Sequence, residues 1–278
     1  MKINIDFIKS RLLYLICNYK YLILLWIFFS CNNSVQLEKK NTEFKDRPNI
    51  LILMSDNQSA EHLGCYGDNS VKTPNIDQLA EDGVLFNNAF CSAPSCSPAR
   101  AAMLSGQDIW RLKQAANLWS SFPKVKVFTS LLEDDGYEVG IQGKGWGPGN
   151  SEISGWDKNP GGDKFDSFES FFDQSKKDKP WFFWYSSTDP HRPFRKNGWK
   201  KSGINLDSIF VPPYLPDNIE TRKDIADYYD EIQNFDNEVG TYVSFLKEKN
   251  ELENTIVIVC SDNGWQMPRG LANLYDFG

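Results

Sequence analysis

Histidine is nearly missing: His62 and His191 are the only two in 278 residues, so a zinc centre built from several imidazoles is hard to assemble. Cysteine is sparse as well. The chain has six, with no Cys-x-x-Cys pair, which excludes a disulfide-built scaffold and argues against a zinc ribbon or a thioredoxin-type site. No Gly-x-Ser-x-Gly elbow occurs, and the Gly143 to Gly149 run places Pro148 where a dinucleotide-binding loop needs glycine. Basic charge is also short, with 30 Lys and Arg against 37 Asp and Glu and a net charge of −7, so no nucleic-acid partner is expected. Apolar material is plentiful: 41% of residues are hydrophobic and 14% aromatic, enough for one large core or two modest ones.

The apolar run Tyr21 to Phe29 (YLILLWIFF) falls short of the ~20 residues that a membrane span needs. Lys2, Lys9, Arg11 and Lys20 precede it and Ser30-Cys31-Asn32 follows, so residues 1–31 read as an export signal. The small residue before Cys31 resembles a bacterial lipoprotein processing site, and lipidation at Cys31 is expected, with a simple cleaved signal or an uncleaved anchor as alternatives. The mature protein is then exported, periplasmic or lipid-anchored, and meets the membrane only through that signal or anchor. Residues 32–47 are polar and without period, a linker. The folded domain is expected over residues 48–278.

From Pro48 onward short apolar runs alternate with helix-like segments, the pattern of an α/β domain with a mixed, mostly parallel sheet flanked by helices. Four buried strands are expected: Asn49 to Met54, Glu138 to Gln142, Trp181 to Ser186 and Thr255 to Cys260. Each is followed by a polar cluster: Asp56-Asn57, Lys144, Asp189-Pro190-His191-Arg192-Pro193 and Asp262-Asn263. Ligands of open α/β sheets bind beyond the carboxyl ends of the strands, so these loops are expected to converge. Asp and Asn oxygens suit a hard divalent cation, whereas Lys and His suit an anionic substrate. Any one such cluster, taken alone, reads as ordinary turn chemistry. The same end of four strands carrying one is the stronger signal.

Helices are expected from Pro74 to Asp82, from Phe128 to Asp135 and from Asp224 to Glu248, the last with an apolar stripe of core residues from Ile225 to Leu246. Trp110, Trp119, Trp146 and Trp156 are either a sugar-stacking rim or core. His62 reads as a local polar residue near the surface rather than a ligand.

In Cys91-Ser92-Ala93-Pro94-Ser95-Cys96-Ser97-Pro98-Ala99-Arg100, the position of Pro98 and the alanines beyond it place Cys96 near a helix N-terminus, which favours anions. The thiol is either structural, including a disulfide with Cys91 or Cys65, or a low-pKa nucleophile beside Arg100.

Cys96-Ser97-Pro98-Ala99-Arg100 resembles the Cys-x-Pro-x-Arg signature of the sulfatase family, in which the cysteine is oxidised to formylglycine. Arg47-Pro48-Asn49-Ile50, Leu63-Gly64-Cys65-Tyr66-Gly67, Thr73-Pro74-Asn75-Ile76-Asp77 and Ser261-Asp262-Asn263-Gly264 extend the likeness. Asp189-Pro190-His191-Arg192-Pro193 and the segment from Pro268 to Gly278 resemble the sulfamidase branch. The resemblance implies an alkaline-phosphatase-like fold and hydrolysis of sulfate esters or N-sulfates on a sulfated carbohydrate such as a glycosaminoglycan. A formylglycine-generating maturase is implied as a partner. Cys96 becomes the nucleophile and Arg100 holds its hydrated form; Asp56, Asn57, Asp262, Asn263 and the Cys96-derived group face one calcium ion. Lys144 matches the sulfate-binding lysine and His191 the proton donor to the leaving group.

Departures from the family pattern carry expectations of their own. Asp56-Asn57 replaces a commoner pair of aspartates, which lowers the expected metal affinity, and Trp146 stands where a histidine is usual. Leu271 occupies a position that often holds Lys or Arg, with Arg269 as the substitute substrate contact. The chain stops at Gly278, before the closing strands and smaller C-terminal domain that the resemblance implies, so the domain is expected to be incomplete. A phosphonate or phosphodiester hydrolase of the same superfamily, or an inactive glycan-binding relative, are the alternatives.

Overall fold

Leu51 and Leu53 of the first strand face one way and Ile52 and Met54 the other, and all four are buried. This period-two burial on both faces is that of a strand inside a sheet covered by helices on each side. The computed structural model describes residues 47–273. The export signal, Cys31, nearly all of the linker and residues 274–278 lie outside the described residues.

Five strands form the sheet: β1 (Asn49–Ser55), β2 (Glu138–Gln142), β3 (Asp163–Lys164), β4 (Trp181–Ser186) and β5 (Thr255–Ser261), in the order β3-β2-β4-β1-β5. Every pairing among the described strands is parallel. β1 runs in continuous register with both neighbours, Met54 lying opposite Ser186 of β4 and Cys260 of β5. The expected strands stand at their expected places, and β3 is an addition of two charged residues. One correction concerns burial. β5 is an edge strand with Ile256 and Ile258 exposed, because its outward face meets no helix among the described residues.

The helices are α1 (Pro74–Asp82), α2 (Cys96–Ser105), α3 (Phe128–Asp134), α4 (Phe168–Gln174), α5 (Trp199–Ser202) and α6 (Ile219–Glu248). Ala101 and Leu104 of α2 pack with Ile52, Met54, Phe182 and Trp184 on one sheet face. Phe168 and Phe171 of α4 and Phe235 and Val239 of α6 pack with Leu51, Leu53 and Phe183 on the other. Leu51, Leu53 and Phe183 are fully excluded from solvent, a burial that stabilises by about 1.5–3 kcal/mol per side chain. α6 begins five residues before the expected Asp224, because the Asn218 side chain accepts from the backbone N–H groups of Glu220 and Thr221, both at 3.0 Å.

Candidate active site

The four polar clusters do meet beyond the carboxyl ends of β1, β2, β4 and β5. Asp56 and Asn57 leave β1 fully buried, and Asp262 and Asn263 leave β5 nearly so. The Asn57 amide donates to Asp262 Oδ1 at 3.1 Å, and Asn263 Nδ2 donates to Asn57 Oδ1 at 2.7 Å. Cys96 opens α2 behind Ser95 as N-cap, with Sγ 3.6 Å from both Asp56 Oδ1 and Asn57 Oδ1. His191 joins them: one ligand atom from each of Asp56, Cys96 and His191 lies within 4.8 Å of the others.

Arg100 holds this floor together. One turn after Cys96, its wholly buried guanidinium donates from Nε to Asp262 Oδ2 at 2.9 Å and from Nη1 to the Gly145 carbonyl and Ser186 Oγ, both at 2.9 Å, with Nη2 3.5 Å from Asp56 Oδ2. Burial opposes its charge, but Asp262 and Asp56 hold its pKa above the ordinary value. Burial, followed by the charge of Asp262, raises Asp56, while Arg100 and Lys144 pull the other way. Lys144 Nζ pairs with Asp56 Oδ2 and keeps part of its surface open.

The cysteine differs from the low-pKa reading. Burial, then Asp262 and Asp56, push the Cys96 thiol up to about 12, with Lys144 and Arg100 opposing too weakly. Cys96 also forms no disulfide with Cys91 or Cys65. Burial and the two carboxylates thus favour the thiol over the thiolate, and the thiol is the weaker nucleophile.

The donor set fits a hard divalent cation. Asn263 Oδ1 is a buried acceptor without a hydrogen-bond partner among the described residues, and two buried aspartates lie beside it. Asp56, Asn57, Asp262 and Asn263 would supply oxygen ligands of the kind such ions take.

His191 sits in a segment pinned to α6: Arg192 forms a two-pronged ion pair with Asp224, and Asn234 Nδ2 donates to Asp189 Oδ2 at 2.6 Å. The Asp56 amide donates to the Asp189 carbonyl at 3.0 Å, joining this segment to the end of β1. His191 Nδ1 bonds the Arg192 carbonyl, so that nitrogen carries the hydrogen and Nε2 is the one left to exchange a proton.

Residues 48–275 match the sulfatase family model. The chain belongs to the sulfatase family. It is 30% identical over 264 residues to human N-sulphoglucosamine sulphohydrolase, covering 82% of this chain and 52% of that one. The chain spans about half the length of the curated relatives it matches first. A solved Bacteroides fragilis structure assigned as a sulfatase superposes with a TM-score of 0.66 at 22% identity, over 81% of this chain and 64% of that one. A protein solved with its substrate D-glucosamine-2-N,6-O-disulfate superposes with a TM-score of 0.60 at 18% identity, over 78% and 66%. The fold is the alkaline-phosphatase-like α/β fold of sulfatases.

Against that family, Trp146 is a wall and not a polar group. It is buried, its indole N–H donates to the Ser97 carbonyl at 3.2 Å, and it stacks on Phe122, which in turn stacks on Trp156. Of the four tryptophans, Trp146 and Trp156 are thus packing residues, whereas Trp110 and Trp119 are exposed. Arg269 lays its guanidinium 5.4 Å from the Tyr214 ring centroid. His62 departs from the surface reading: it is buried against Tyr228, Tyr229 and Trp265, with Nδ1 3.2 Å from Tyr228 Oη. Sequence reasoning did not single out Ser186, whose partner Arg100 lies on α2, or Asn159, most of whose bonds go to the Lys144 loop. Asn159 could have been picked out only as an Asn-Pro-Gly-Gly turn.

Proposed function

We propose that the protein hydrolyses sulfate esters or N-sulfates on a sulfated, glycosaminoglycan-like carbohydrate, using a formylglycine derived from Cys96 and one calcium ion. The observation that carries this reading is the position of Cys96, at the first turn of α2 with Sγ against Asp56 and Asn57 and with Arg100 one turn behind. A thiol held near 12 is a poor nucleophile, which agrees with a side chain that must be oxidised before it is useful; the oxidised residue supplies the attacking oxygen. A calcium ion held by Asp56, Asn57, Asp262 and Asn263 would draw electron density from sulfate oxygens.

The remaining steps belong to the chain itself. Arg100 fixes the relative positions of Asp56 and Asp262 and offsets their charge. The partly exposed Lys144 ammonium, paired with Asp56, binds the sulfate anion. With the Nδ1 hydrogen held on the Arg192 carbonyl, the doubly protonated His191 gives its Nε2 proton to the departing oxygen or nitrogen and is left as the neutral imidazole. Arg269 is assigned a substrate contact at the rim. The maturase acts on Cys96, and the export signal with Cys31 places the enzyme outside the cytoplasm, periplasmic or lipid-anchored. The sulfated glucosamine in the names of the human relative and of the complexed structure supports the choice of sugar.

The test is co-expression with a formylglycine-generating maturase, followed by the mass of the tryptic peptide ending at Arg100, with Cys96→Ala as control. Conversion to the aldehyde, and sulfate rather than phosphate released from a sulfated saccharide, is the expected result. An intact thiol beside a well-converted reference sulfatase overturns the proposal.

A further inference from the structure

Lys144 sits on a loop whose shape is set from outside the loop. Gly143 and Gly145 flank it with φ of 86° and 54°, left-handed conformations that glycine adopts without steric cost. Asn159, on the stretch between β2 and β3, fills the space beneath. Its Oδ1 accepts from the Trp146 amide at 3.0 Å and the Gly161 amide at 2.9 Å. Its Nδ2 donates to the Lys144 carbonyl at 3.3 Å and the Trp146 carbonyl at 2.9 Å. A side-chain amide has two N–H groups and two acceptor lone pairs, and all of them are used here. The fit is close: a Cβ built on Gly145 would lie 2.7 Å from Asn159 Oδ1. The same loop supplies the Gly145 carbonyl that accepts from Arg100 Nη1 at 2.9 Å.

We propose that Asn159 is the positioning residue for the anion-binding Lys144: its amide clamps the backbone on both sides of Gly145, at the Lys144 carbonyl and at the Trp146 amide and carbonyl, and so aims the ammonium into the site. Asn159 touches neither substrate nor the reacting atoms. The inference rests on the reading of Lys144 as the sulfate-binding group.

The test measures binding of inorganic sulfate by the full-length protein, alongside kcat and KM for a sulfated saccharide. Asn159→Ala removes all four bonds. Asn159→Asp keeps both accepted bonds and turns a carboxylate oxygen toward the Lys144 and Trp146 carbonyls, and it serves if the alanine variant fails to fold. Misplacing a positioned group costs on the order of 10- to 100-fold, so a loss of that size in sulfate affinity and in kcat/KM is expected in both variants, with near-UV circular dichroism unchanged. In a Lys144→Ala background the Asn159 substitutions are expected to change sulfate affinity by less than about twofold, because residues that act through one another are not additive. Equal losses in the two backgrounds, or unchanged sulfate affinity in a folded Asn159→Ala protein, overturn the inference. Wild-type protein that binds sulfate yet turns over no sulfated sugar removes the hydrolase reading and leaves the positioning result standing.

Discussion

Asn263 donates from Nδ2 to Asn57 Oδ1 across 2.7 Å, a bond between residues 206 positions apart that ties the end of β1 to the end of β5. The bond uses one half of each amide and leaves Asn263 Oδ1 and Asn57 Nδ2 buried without partners among the described residues. Together with Asp56 and Asp262, the pair forms a set of oxygens suited to a cation.

Asn57→Asp adds a carboxylate to a pocket where burial and Asp262 already raise the Asp56 pKa. In EDTA the variant is expected to melt below wild type. In calcium it is expected to gain more in Tm than wild type does, since an ion that binds only the folded state stabilises it more the tighter it binds, with the logarithm of the ratio of ion concentration to Kd. Calcium titrations of Tm for both proteins check this; equal gains would count against these oxygens as the ion's ligands.

Arg100→Ala leaves Asp56 and Asp262 facing each other in a dry site, where the guanidinium is wholly buried between them. Removing one partner of a buried ion pair costs about 3–5 kcal/mol. Urea denaturation of Arg100→Ala is expected to show a loss of that size at neutral pH, and Arg100→Lys a smaller one because the charge stays while the bonds to Gly145 and Ser186 are lost.

Trp146→Ala empties a packed wall two residues after Lys144, where the indole stacks on Phe122 at 5.4 Å and donates to the Ser97 carbonyl. Truncating a buried tryptophan costs about 3–5 kcal/mol. Chemical denaturation is expected to show that loss, and a stability within experimental error of wild type would mean that the wall is not a packing element.

His62 favours the unfolded chain at acid pH. Burial lowers its pKa from 6.5 to about 4 in the folded state, so between those values the unfolded chain binds a proton that the folded one refuses. The contribution of His62 to stability therefore rises with pH across that window and falls as pH drops through it, opposite in sign to that of the buried Glu231, whose carboxyl burial pushes up to about 7. Replacing His62 with Phe is expected to flatten the stability profile between pH 6.5 and about 4, measured by urea midpoints at several pH values; an unchanged slope would assign the acid lability to other groups.

The strands were legible because each apolar run is bounded by turn residues and continues without a helical period. β3 was not, since Asp163 and Lys164 have no apolar signature and pair only through the backbone with Gly140 and Ile141. The site's ligand-type residues were readable as clusters that end strands, a local signal. The burial of His62 was not, because the rings that enclose it come from α6 and from Trp265, far along the chain. The Cys96 thiol stayed open between a structural and a low-pKa reading for a related reason. Arg100 is near in sequence, but Asp56 and Asp262 arrive only through the fold and outweigh it. Asn159 makes four side-chain hydrogen bonds to three residues, yet a reader of the sequence sees only a turn.

The unbroken register of β1 with both β4 and β5 has a consequence for which lineages and library designs can succeed. Deleting or inserting a single residue within any of these strands would displace one corner of the site by about 3.3 Å and invert every side chain beyond it. Length variation is therefore confined to the loops, and point substitution is the only route by which the strands themselves can change.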